Sequence, residues 1–446
     1  MKKKFTYILF IAFFIAAVSA IIVKFKAKET AKANTVYIIL PRKGADTNTG
    51  EWLTMKEKAD ALSAALKDNP TDHKSALRLA SLFIQEARIS GNYMYYDVAA
   101  MKTVNDVLNI DSANFEALVY KSLIYLSQHH FADGLATAQK AQQVNPYNAY
   151  IYGLMVDGNV EMGNYDSAVV NADRMVAIRP DLTSYSRISY VREIYGDYKG
   201  AIQAMKMAVD AGGPGDEYTE WSRYQLAGLY EKISDYKTAE ALYNQSLQYR
   251  PDYPFAYAGL GRVAMAAGDY KKATDYLRKA DVLITDNGIR DELSEAYRLA
   301  GETQKASDIL ATEIKDLSEN AVAGDKDEAV GHYADRELAY AYLKAGDNNK
   351  ALEHAMLEYN RRPDNIDVNE TVGWVLYNKG DYAKALPYIK VALKTNAKNP
   401  VLLSRAALIY SKAGDAATAK VLMAEMPNST YYLGANLKAE MIAANL

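Results

Sequence analysis

The stretch Pro254–Thr285, PFAYAGLGRVAMAAGDYKKATDYLRKADVLIT, decides the fold of this chain. Its first half carries residues at the i, i+3, i+4 and i+7 spacing of one helix face, namely Tyr257, Leu260, Gly261 and Ala264. Its second half has an apolar face at helical spacing as well, with Ala273, Leu277 and Ala280. Between them, Gly268 supplies the positive φ that ends a helix, and Asp269 can cap the next helix. The stretch therefore predicts two helices joined by a tight turn and packed against each other.

The same turn recurs along the chain with a period close to 34 residues. It is carried by Gly-Asp or a close variant at Gly163-Asn164, Gly196-Asp197, Ser234-Asp235, Gly268-Asp269, Gly301-Glu302, Gly346-Asp347, Gly380-Asp381 and Gly414-Asp415. A fixed period of this length is the signature of stacked helix pairs. Each pair contacts only its neighbours, so such an array needs no single central core. We therefore predict an all-α fold, a right-handed α-solenoid of about ten helix–turn–helix units.

The turns also predict where each unit begins and ends. The expected units are 73–111, 112–146, 147–180, 181–214, 215–251, 252–285, 286–317, 328–363, 364–398 and 399–427. A lone helix at about 51–67 precedes them, and a polar insertion at 318–327 interrupts the period. The array thus has an N-terminal part, 51–317, and a C-terminal part, 328–427. The stretch 430–445 is expected to form the capping helix that the end of a solenoid needs.

These units resemble the tetratricopeptide repeat (TPR), whose pattern is W-x2-L-G-x2-Y…A-x3-F…P. One copy is Tyr257-x2-Leu260-Gly261-x2-Ala264…Ala273-x3-Leu277. Similar copies begin at Arg223, Asp335 and Leu403. Residues 185–202 further resemble a subgroup of bacterial repeat proteins. Arg192 stands there in place of a large apolar residue, which indicates a buried ion pair with Glu193 or a neighbour, or else a polar opening in the stack.

The resemblance implies a binding surface on the first helix of each unit, because these helices line the concave face of a solenoid. In this family, positions two, five, nine and twelve of a repeat commonly face that groove. Carried over to this chain, they give the partner-binding residues Tyr150, Asp157, Tyr190, Glu193, Trp221, Tyr224, Glu231, Arg262, Tyr333, Arg336, Tyr340, Glu370, Trp374 and Tyr377. The set is rich in aromatic residues and arginine, which are enriched at binding hot spots.

Two functions are compatible with such a surface. The first is a non-catalytic, membrane-tethered scaffold that binds a protein or peptide partner in the concave groove. The alternative is a cell-envelope protein that binds a glycan or a small ligand with the aromatic groove. A long open groove of mixed charge favours the peptide, whereas one closed aromatic pocket favours the ligand.

Residues 1–26 predict a transmembrane anchor or a signal peptide. Three lysines at 2–4 precede an uncharged apolar run, Phe5–Val23, which would span about 28 Å as a helix. Val18-Ser19-Ala20 offers a cleavage site, but the apolar run continues past it, which favours an uncleaved anchor. The lysines before the run favour a cytoplasmic N-terminus. We expect a solenoid anchored at the inner membrane and lying outside the cytoplasm, or exported if the signal is cleaved, with residues 27–50 as a linker.

Composition and motifs argue against catalysis, cofactors and nucleic acid. The chain has no cysteine, which excludes disulfides, a thiolate nucleophile and Cys-ligated zinc. Its formal net charge is −3, and no basic stripe indicates nucleic-acid binding. The glycines of the dinucleotide-like string at 259–264 lie inside a predicted helix and lack the preceding strand. His129 and His130 are adjacent in a turn with no evident partner ligand, so we predict no metal site, no cofactor and no enzyme activity.

Overall fold

The computed structural model describes residues 13–14, 17–20, 23–24, 35–44, 49–326, 331–426 and 433–446. The chain forms two compact units, Met1–Leu40 and Pro41–Leu446. Most of the expected membrane segment, 5–23, lies outside the described residues. Within the part that the structure describes, no helix is both long and apolar enough to cross a membrane.

The second unit contains 22 helices in its described residues. The first of these helices, α1 (Gly50–Asp68), belongs to no pair. The next ten form five pairs: α2 (His73–Ser90) and α3 (Tyr93–Ile110), α4 (Phe115–Ser127) and α5 (Phe131–Val144), α6 (Ala149–Glu161) and α7 (Tyr165–Ile178), α8 (Leu182–Ile194) and α9 (Tyr198–Asp210), α10 (Glu217–Lys232) and α11 (Tyr236–Tyr249). Five further pairs follow: α12 (Pro254–Ala266) and α13 (Tyr270–Leu283), α14 (Asn287–Leu299) and α15 (Thr303–Lys326), α16 (Asp335–Lys344) and α17 (Asn348–Arg361), α18 (Ile366–Asn378) and α19 (Tyr382–Ala392), α20 (Pro400–Lys412) and α21 (Ala416–Ala424). The last helix is α22 (Ala435–Ala443).

This arrangement confirms the predicted all-α solenoid of ten helix–turn–helix units. We call the first helix of each pair its A helix and the second its B helix. The A and B helices of one pair pack closely together, and each B helix also packs against the A helix that follows it. The A helices of successive pairs touch as well, so they line one common side of the stack. No β-strand occurs in the described ranges.

The turns that set the period have the predicted conformation. The first residue of all eight Gly-Asp-type dipeptides has a positive φ, between 63° and 95°. The carboxylate of Asp269 accepts a hydrogen bond from the Lys272 N–H at 3.0 Å and so caps α13. Within the same pair, a Cβ on Gly261 would lie only 2.6 Å from Cγ of Leu277. A glycine at 261 therefore allows α12 and α13 to approach as closely as they do.

Three details of the array bear on the sequence predictions. Residues 318–326 of the polar insertion are helical, because they continue α15 to a length of 24 residues. The stretch expected to cap the array, 430–445, contains α22, although residues 427–432 lie outside the described part. Arg192 is not buried in an ion pair: it is exposed and donates a hydrogen bond to the Gly200 carbonyl at 3.1 Å.

The stack of helix pairs is coiled so tightly that one superhelical turn rests on the next. Residues about 200 positions apart meet along a line of contacts that we call the seam. There the A–B turn of each of the first four pairs contacts the loop that follows the pair five places later. The contacts join Ser90 to Thr285, Gln128 to Tyr333, Glu161 to Arg362 and Gly196 to Asn396. One superhelical turn thus takes about six pairs.

The third of these contacts is the most extensive. Arg362, which is buried, forms ion pairs with Glu161 across the seam and with Glu358 in the last turn of α17. The Asn365 amide donates to the Glu161 carbonyl at 3.0 Å, and the Ile366 N–H donates to the Tyr165 hydroxyl at 2.8 Å. Because these contacts close the side of the coil, the inner face of the A helices is enclosed and is not an open groove.

Candidate functional site

The A helices surround three neighbouring cavities, which we call the inner channel. The first, about 780 Å³, lies among α1, α2, α4, α6 and the start of α10. The second, about 440 Å³, is enclosed by the A helices of the first five pairs and by α3. The third, about 370 Å³, lies between α8 and α10 of one superhelical turn and α16, α18 and α20 of the next. Tyr150 and Tyr218 line both the first and the second cavity, and Tyr190 and Glu193 line both the second and the third, so the cavities are contiguous.

Aromatic side chains form part of the wall of the second cavity. Five rings line it: Tyr93, Tyr150, Tyr190, Tyr218 and Trp221. The Trp221 ring is held edge-on by Phe255, with the ring centroids 5.0 Å apart. Tyr190 keeps 37% of its surface exposed although it lies inside the coil, so its ring faces the channel space. Five of the residues predicted from the sequence therefore meet here: Tyr150, Asp157, Tyr190, Glu193 and Trp221.

Three ion pairs of the first two cavities join different A helices. The ion pairs are Arg187–Asp157, Arg88–Glu217 and Lys232–Glu193. In the first pair, Nη2 of Arg187 lies 2.6 Å from Oδ2 of Asp157. The guanidinium of Arg88 also lies over the Tyr218 ring, 4.4 Å from its centroid. These charges line the channel and, at the same time, hold neighbouring A helices together.

Sequence reasoning missed Asp97, which lines the second cavity from the B helix α3. It is buried, with 3% of its surface exposed, and Ser127 donates a hydrogen bond to its carboxylate at 2.5 Å. Burial raises the pKa of Asp97 to about 7, against the opposing effect of that hydrogen bond. An acid on a B helix looks in sequence like any solvated surface carboxylate, so no signal in the sequence could have singled it out.

The third cavity brings together Arg336, Tyr340 and Glu370 from α16 and α18. The Tyr340 hydroxyl donates to Oε2 of Glu370 at 2.5 Å, and Nε of Arg336 donates to the Thr371 hydroxyl at 3.2 Å. Glu370 also pairs with Arg405 of α20 at 2.5 Å. Arg405 was not selected from the sequence, although it lies on an A helix and its position in the repeat could have indicated it.

Three other predicted residues form a polar network outside these cavities. Arg262 on α12 donates to the carboxylates of Glu231 on α10 and Glu292 on α14, at 3.0 and 3.1 Å. It also donates to the hydroxyls of Tyr224 and Tyr243, at 3.2 and 2.9 Å. Burial raises the pKa of Glu292 to about 7, while Arg262 acts in the opposite direction. The Arg262 donors are thus engaged by protein groups, and the network ties three successive A helices together.

The remaining predicted residues lie elsewhere. Tyr333 is at the seam, where its ring stacks on His130 with centroids 4.0 Å apart. Trp374 stacks on Tyr377, with centroids 4.8 Å apart. Tyr377 itself is buried, and its hydroxyl donates to Glu440 of α22 at 2.6 Å. The structure therefore does not bring these three side chains to the walls of the inner channel.

One group of side chains in the described residues has the chemistry of metal ligands. His129, His332 and Glu337 place a ligand atom each within 4.8 Å of one another. The group lies at the seam, where the A–B turn of the second pair meets the segment before α16. It was not apparent from the sequence, because His129 lies about 200 residues before His332 and Glu337 in the chain.

Comparison with known proteins links part of this chain to a repeat family. Residues 234–282 match the family model described as "Tetratricopeptide repeat". These residues begin at the A–B turn of the fifth pair and end near the end of α13. No curated protein matches the chain.

Several solved structures are similar to the chain at low sequence identity. A tetratricopeptide repeat protein from Parabacteroides merdae ATCC 43184 is 13% identical, with a TM-score of 0.42, over 55% of this chain and 92% of that chain. The human IFIT1 dimer with m7Gppp-AAAA is 14% identical, with a TM-score of 0.48, over 79% of this chain and 83% of that chain. PilW, a type IV pilus biogenesis factor, is 15% identical, with a TM-score of 0.37, over 48% and 96%. The family match identifies residues 234–282 as tetratricopeptide repeat sequence.

Proposed function

We propose that this protein is a non-catalytic scaffold that binds an extended segment of a protein partner inside the inner channel. A tetratricopeptide fold suggests a protein-interaction role. The observation that carries the proposal is the run of three contiguous cavities along the A helices, lined by aromatic rings and ion pairs. A continuous channel of this kind suits a peptide chain, which can lie along it and contact several repeats at once.

The wall offers both kinds of contact that an extended chain needs. The rings of Tyr150, Tyr190 and Trp221 supply rigid apolar area at a low cost in side-chain entropy. The peptide's own N–H and C=O groups must be paired once they leave water. Arg187 and Asp157, which already pair with each other, can pair with such groups without leaving a buried charge uncompensated.

The seam determines how a partner would reach this wall. Because the ion pairs and hydrogen bonds around Arg362 close the side of the coil, a partner must enter through an end of the channel or while the seam is parted. Association that requires a conformational change is slower than docking onto an open face. We therefore expect slow association and slow dissociation.

Photo-crosslinking tests the site without knowledge of the partner. A photoreactive amino acid replaces Tyr190 in the channel, or, as the control, Tyr147, which is 79% exposed and lines none of the three cavities. Each protein is incubated with a library of random soluble peptides, irradiated and analysed by mass spectrometry. We expect a restricted set of crosslinked peptides at 190 and an unselected background at 147. Equal, unselective labelling at both positions would contradict the proposal.

A second candidate function is supported by the second cavity alone. Five aromatic rings surround about 440 Å³, which falls within the range of roughly 300–1,000 Å³ typical of ligand sites. A glycan or other small ligand could stack on these rings. Calorimetry with a panel of oligosaccharides distinguishes the two functions. Tight binding that Trp221→Ala abolishes would favour the ligand, whereas peptide selectivity without oligosaccharide binding would rule it out.

The cellular location rests on the apolar run Phe5–Val23. We propose that the solenoid is tethered to the inner membrane and lies outside the cytoplasm, with export after cleavage as the alternative. Alkaline extraction of membranes, and protease accessibility in cells whose outer layers are permeabilised while the inner membrane stays intact, test this location by comparing the full chain with a deletion of residues 1–26. Release of the full chain by alkali would contradict the tether, and complete protection from external protease in permeabilised envelopes would contradict the orientation.

A further inference from the structure

We propose that His129, His332 and Glu337 form a binding site for a divalent transition-metal ion of the Zn²⁺ type, which links two successive superhelical turns across the seam. The site is distinct from the inner channel and from the proposed partner-binding function.

The three side chains converge from both sides of the seam. His129 lies in the A–B turn of the second pair, whereas His332 precedes α16 and Glu337 is in its first turn. Their ligand atoms lie within 4.8 Å of one another, and Nδ1 of His129 is 3.7 Å from Oε1 of Glu337. Ligands at the usual bond lengths around a tetrahedral Zn²⁺ are about 3.3 Å apart. The side chains must therefore rotate to bring their ligand atoms closer together by up to about 1.5 Å.

The backbone around these ligands is held in place from both turns. The Tyr333 N–H donates to the Gln128 carbonyl at 3.1 Å, and Nε2 of His130 lies 3.0 Å from the Gly331 carbonyl oxygen. Nδ1 of His129 also lies 3.2 Å from the carbonyl oxygen of Tyr333, so a metal bound at this nitrogen would replace that contact. Because the residues next to each ligand are tied across the seam, the ligands are pre-organised, as a specific metal site requires.

The carboxylate of Glu337 has an unsatisfied acceptor at this point. Its Oε2 is buried and, among the described residues, has no hydrogen-bond partner. A buried carboxylate oxygen without a donor is costly, and a bound cation would remove that cost. The nearby guanidinium of Arg362 is paired with Glu161 and Glu358, but Arg362 and Arg336 both lower the pKa of His129, so the carboxylate of Glu337 has to offset their charge when a cation binds.

The donor set determines the class of metal. Two imidazole nitrogens and one carboxylate oxygen suit Zn²⁺ and related transition-metal ions, whereas Mg²⁺ and Ca²⁺ prefer oxygen ligands. Three protein ligands leave a further coordination position for water. The chain has five histidines and no cysteine, so it offers few competing ligands of the same kind.

Zinc titration of the full chain, purified without a histidine tag and freed of metal, tests this site by calorimetry. We expect one Zn²⁺ per chain, with affinity reduced at least tenfold in His129→Ala and in Glu337→Gln, since losing a ligand should cost no less than losing an outer-shell partner. His73→Ala, the same change at the start of α2, is the control and should bind as the wild type does. Zinc should raise the melting temperature of the wild type and leave that of Glu337→Gln unchanged.

A second readout does not depend on stability. Co²⁺ in place of Zn²⁺ should give the visible absorption of a low-coordinate N/O site in the wild type and in His73→Ala, and lose it in Glu337→Gln. Glu337→Gln preserves the size of the side chain, so it remains decisive if His129→Ala fails to fold. Equal zinc affinity in the wild type and Glu337→Gln, or no stoichiometric binding by the wild type, would overturn the proposal.

Discussion

At the scale of single residues, glycines in A helices have two different roles. A Cβ on Gly261 would meet Cγ of Leu277 at 2.6 Å, because α12 and α13 touch there. Gly228 is also in the middle of an A helix, but it lines the second cavity, and a Cβ there would have no neighbour within 4 Å. The first glycine permits close packing, whereas the second contributes only open space in the channel.

This difference predicts opposite effects for the same substitution. We expect Gly261→Ala to destabilise the protein by about 1–3 kcal/mol, since the added methyl overpacks the helix contact. Gly228→Ala should instead stabilise it by roughly 0.5–1 kcal/mol, because alanine favours the helix and nothing obstructs it. Thermal unfolding followed by circular dichroism measures both. Shifts of the same sign would show that the placement of these two helix faces is wrong.

Asp97 makes the stability of the protein depend on pH. Its pKa is raised to about 7 in the folded protein, against about 4 for an unfolded aspartate, because burial disfavours the carboxylate. The folded state therefore holds the proton more tightly, and the free energy of unfolding falls as the pH rises from about 4 to about 7. By the same relation, the loss amounts to at most roughly 4 kcal/mol and persists above that range.

Replacement of the carboxylate by an amide tests this dependence. Asp97→Asn should lose less stability than the wild type between pH 5 and pH 8, as measured by melting temperature. Asp106→Asn, on the exposed face of the same helix, is the matched control and should follow the wild-type profile. If the profiles of Asp97→Asn and the wild type are parallel, the carboxylate does not titrate in this range.

At the scale of helices, partly buried ion pairs connect the A helices of successive pairs. Arg262 of α12 links Glu231 of α10 to Glu292 of α14. The network therefore joins the fifth, sixth and seventh pairs along their inner faces. The tetratricopeptide pattern places these residues on the groove side, but it does not distinguish a side chain that awaits a partner from one that is already bonded.

Removal of Arg262 should therefore affect stability before it affects binding. Arg262→Ala leaves the buried carboxylate of Glu231 without its cation, for which we expect a loss of about 3–5 kcal/mol. Hydrogen exchange should show reduced protection in α10, α12 and α14 together. Arg278→Ala, which breaks an exposed ion pair on α13, should cost no more than about 1 kcal/mol. An Arg262→Ala protein of wild-type stability would instead return Arg262 to the list of partner-binding residues.

At the scale of the whole Pro41–Leu446 unit, the seam holds successive superhelical turns together. Gly163 and Gly268 occupy the same position of two A–B turns and have nearly the same φ, 79° and 77°. A Cβ on Gly163 would lie 2.4 Å from the backbone of Asp364 across the seam, whereas a Cβ on Gly268 would meet nothing within 4 Å. Substitutions at these two glycines therefore distinguish the backbone strain of an A–B turn from the contact between superhelical turns.

Alanine substitutions at these two positions measure how much the seam contributes to stability and compactness. Both substitutions incur about 1–2 kcal/mol for a left-handed alanine, but only Gly163→Ala also pushes the turns apart. We expect Gly163→Ala to have the lower melting temperature and, in small-angle X-ray scattering, the larger radius of gyration. Gly268→Ala should scatter as the wild type does. Identical scattering and melting of the two variants would contradict a closed seam in solution.

The sequence was sufficient for the repeat because the information lies within each unit. Gly268 and Asp269 form the turn, and Gly261 and Leu277 set the helix contact, all within 17 residues. The family resemblance also selected Tyr150, Tyr190 and Trp221, which line one cavity in the structure. It could do so because the position of a residue in the repeat determines which side of the stack the residue faces. Asp97 on a B helix could not be found in this way, because its burial depends on neighbouring pairs.

What the sequence by itself determined is therefore the local pattern: ten helix pairs, their turns and the face of each helix. What only the tertiary structure decided is the closure of the coil, since small rotations between pairs accumulate over about six units before Gln128 meets Tyr333 and Glu161 meets Arg362. The residues next to these contacts in the chain do not by themselves predict the accumulated rotation. The enclosed channel and the meeting of His129 with Glu337 follow from the superhelical geometry, which is a property of the whole stack.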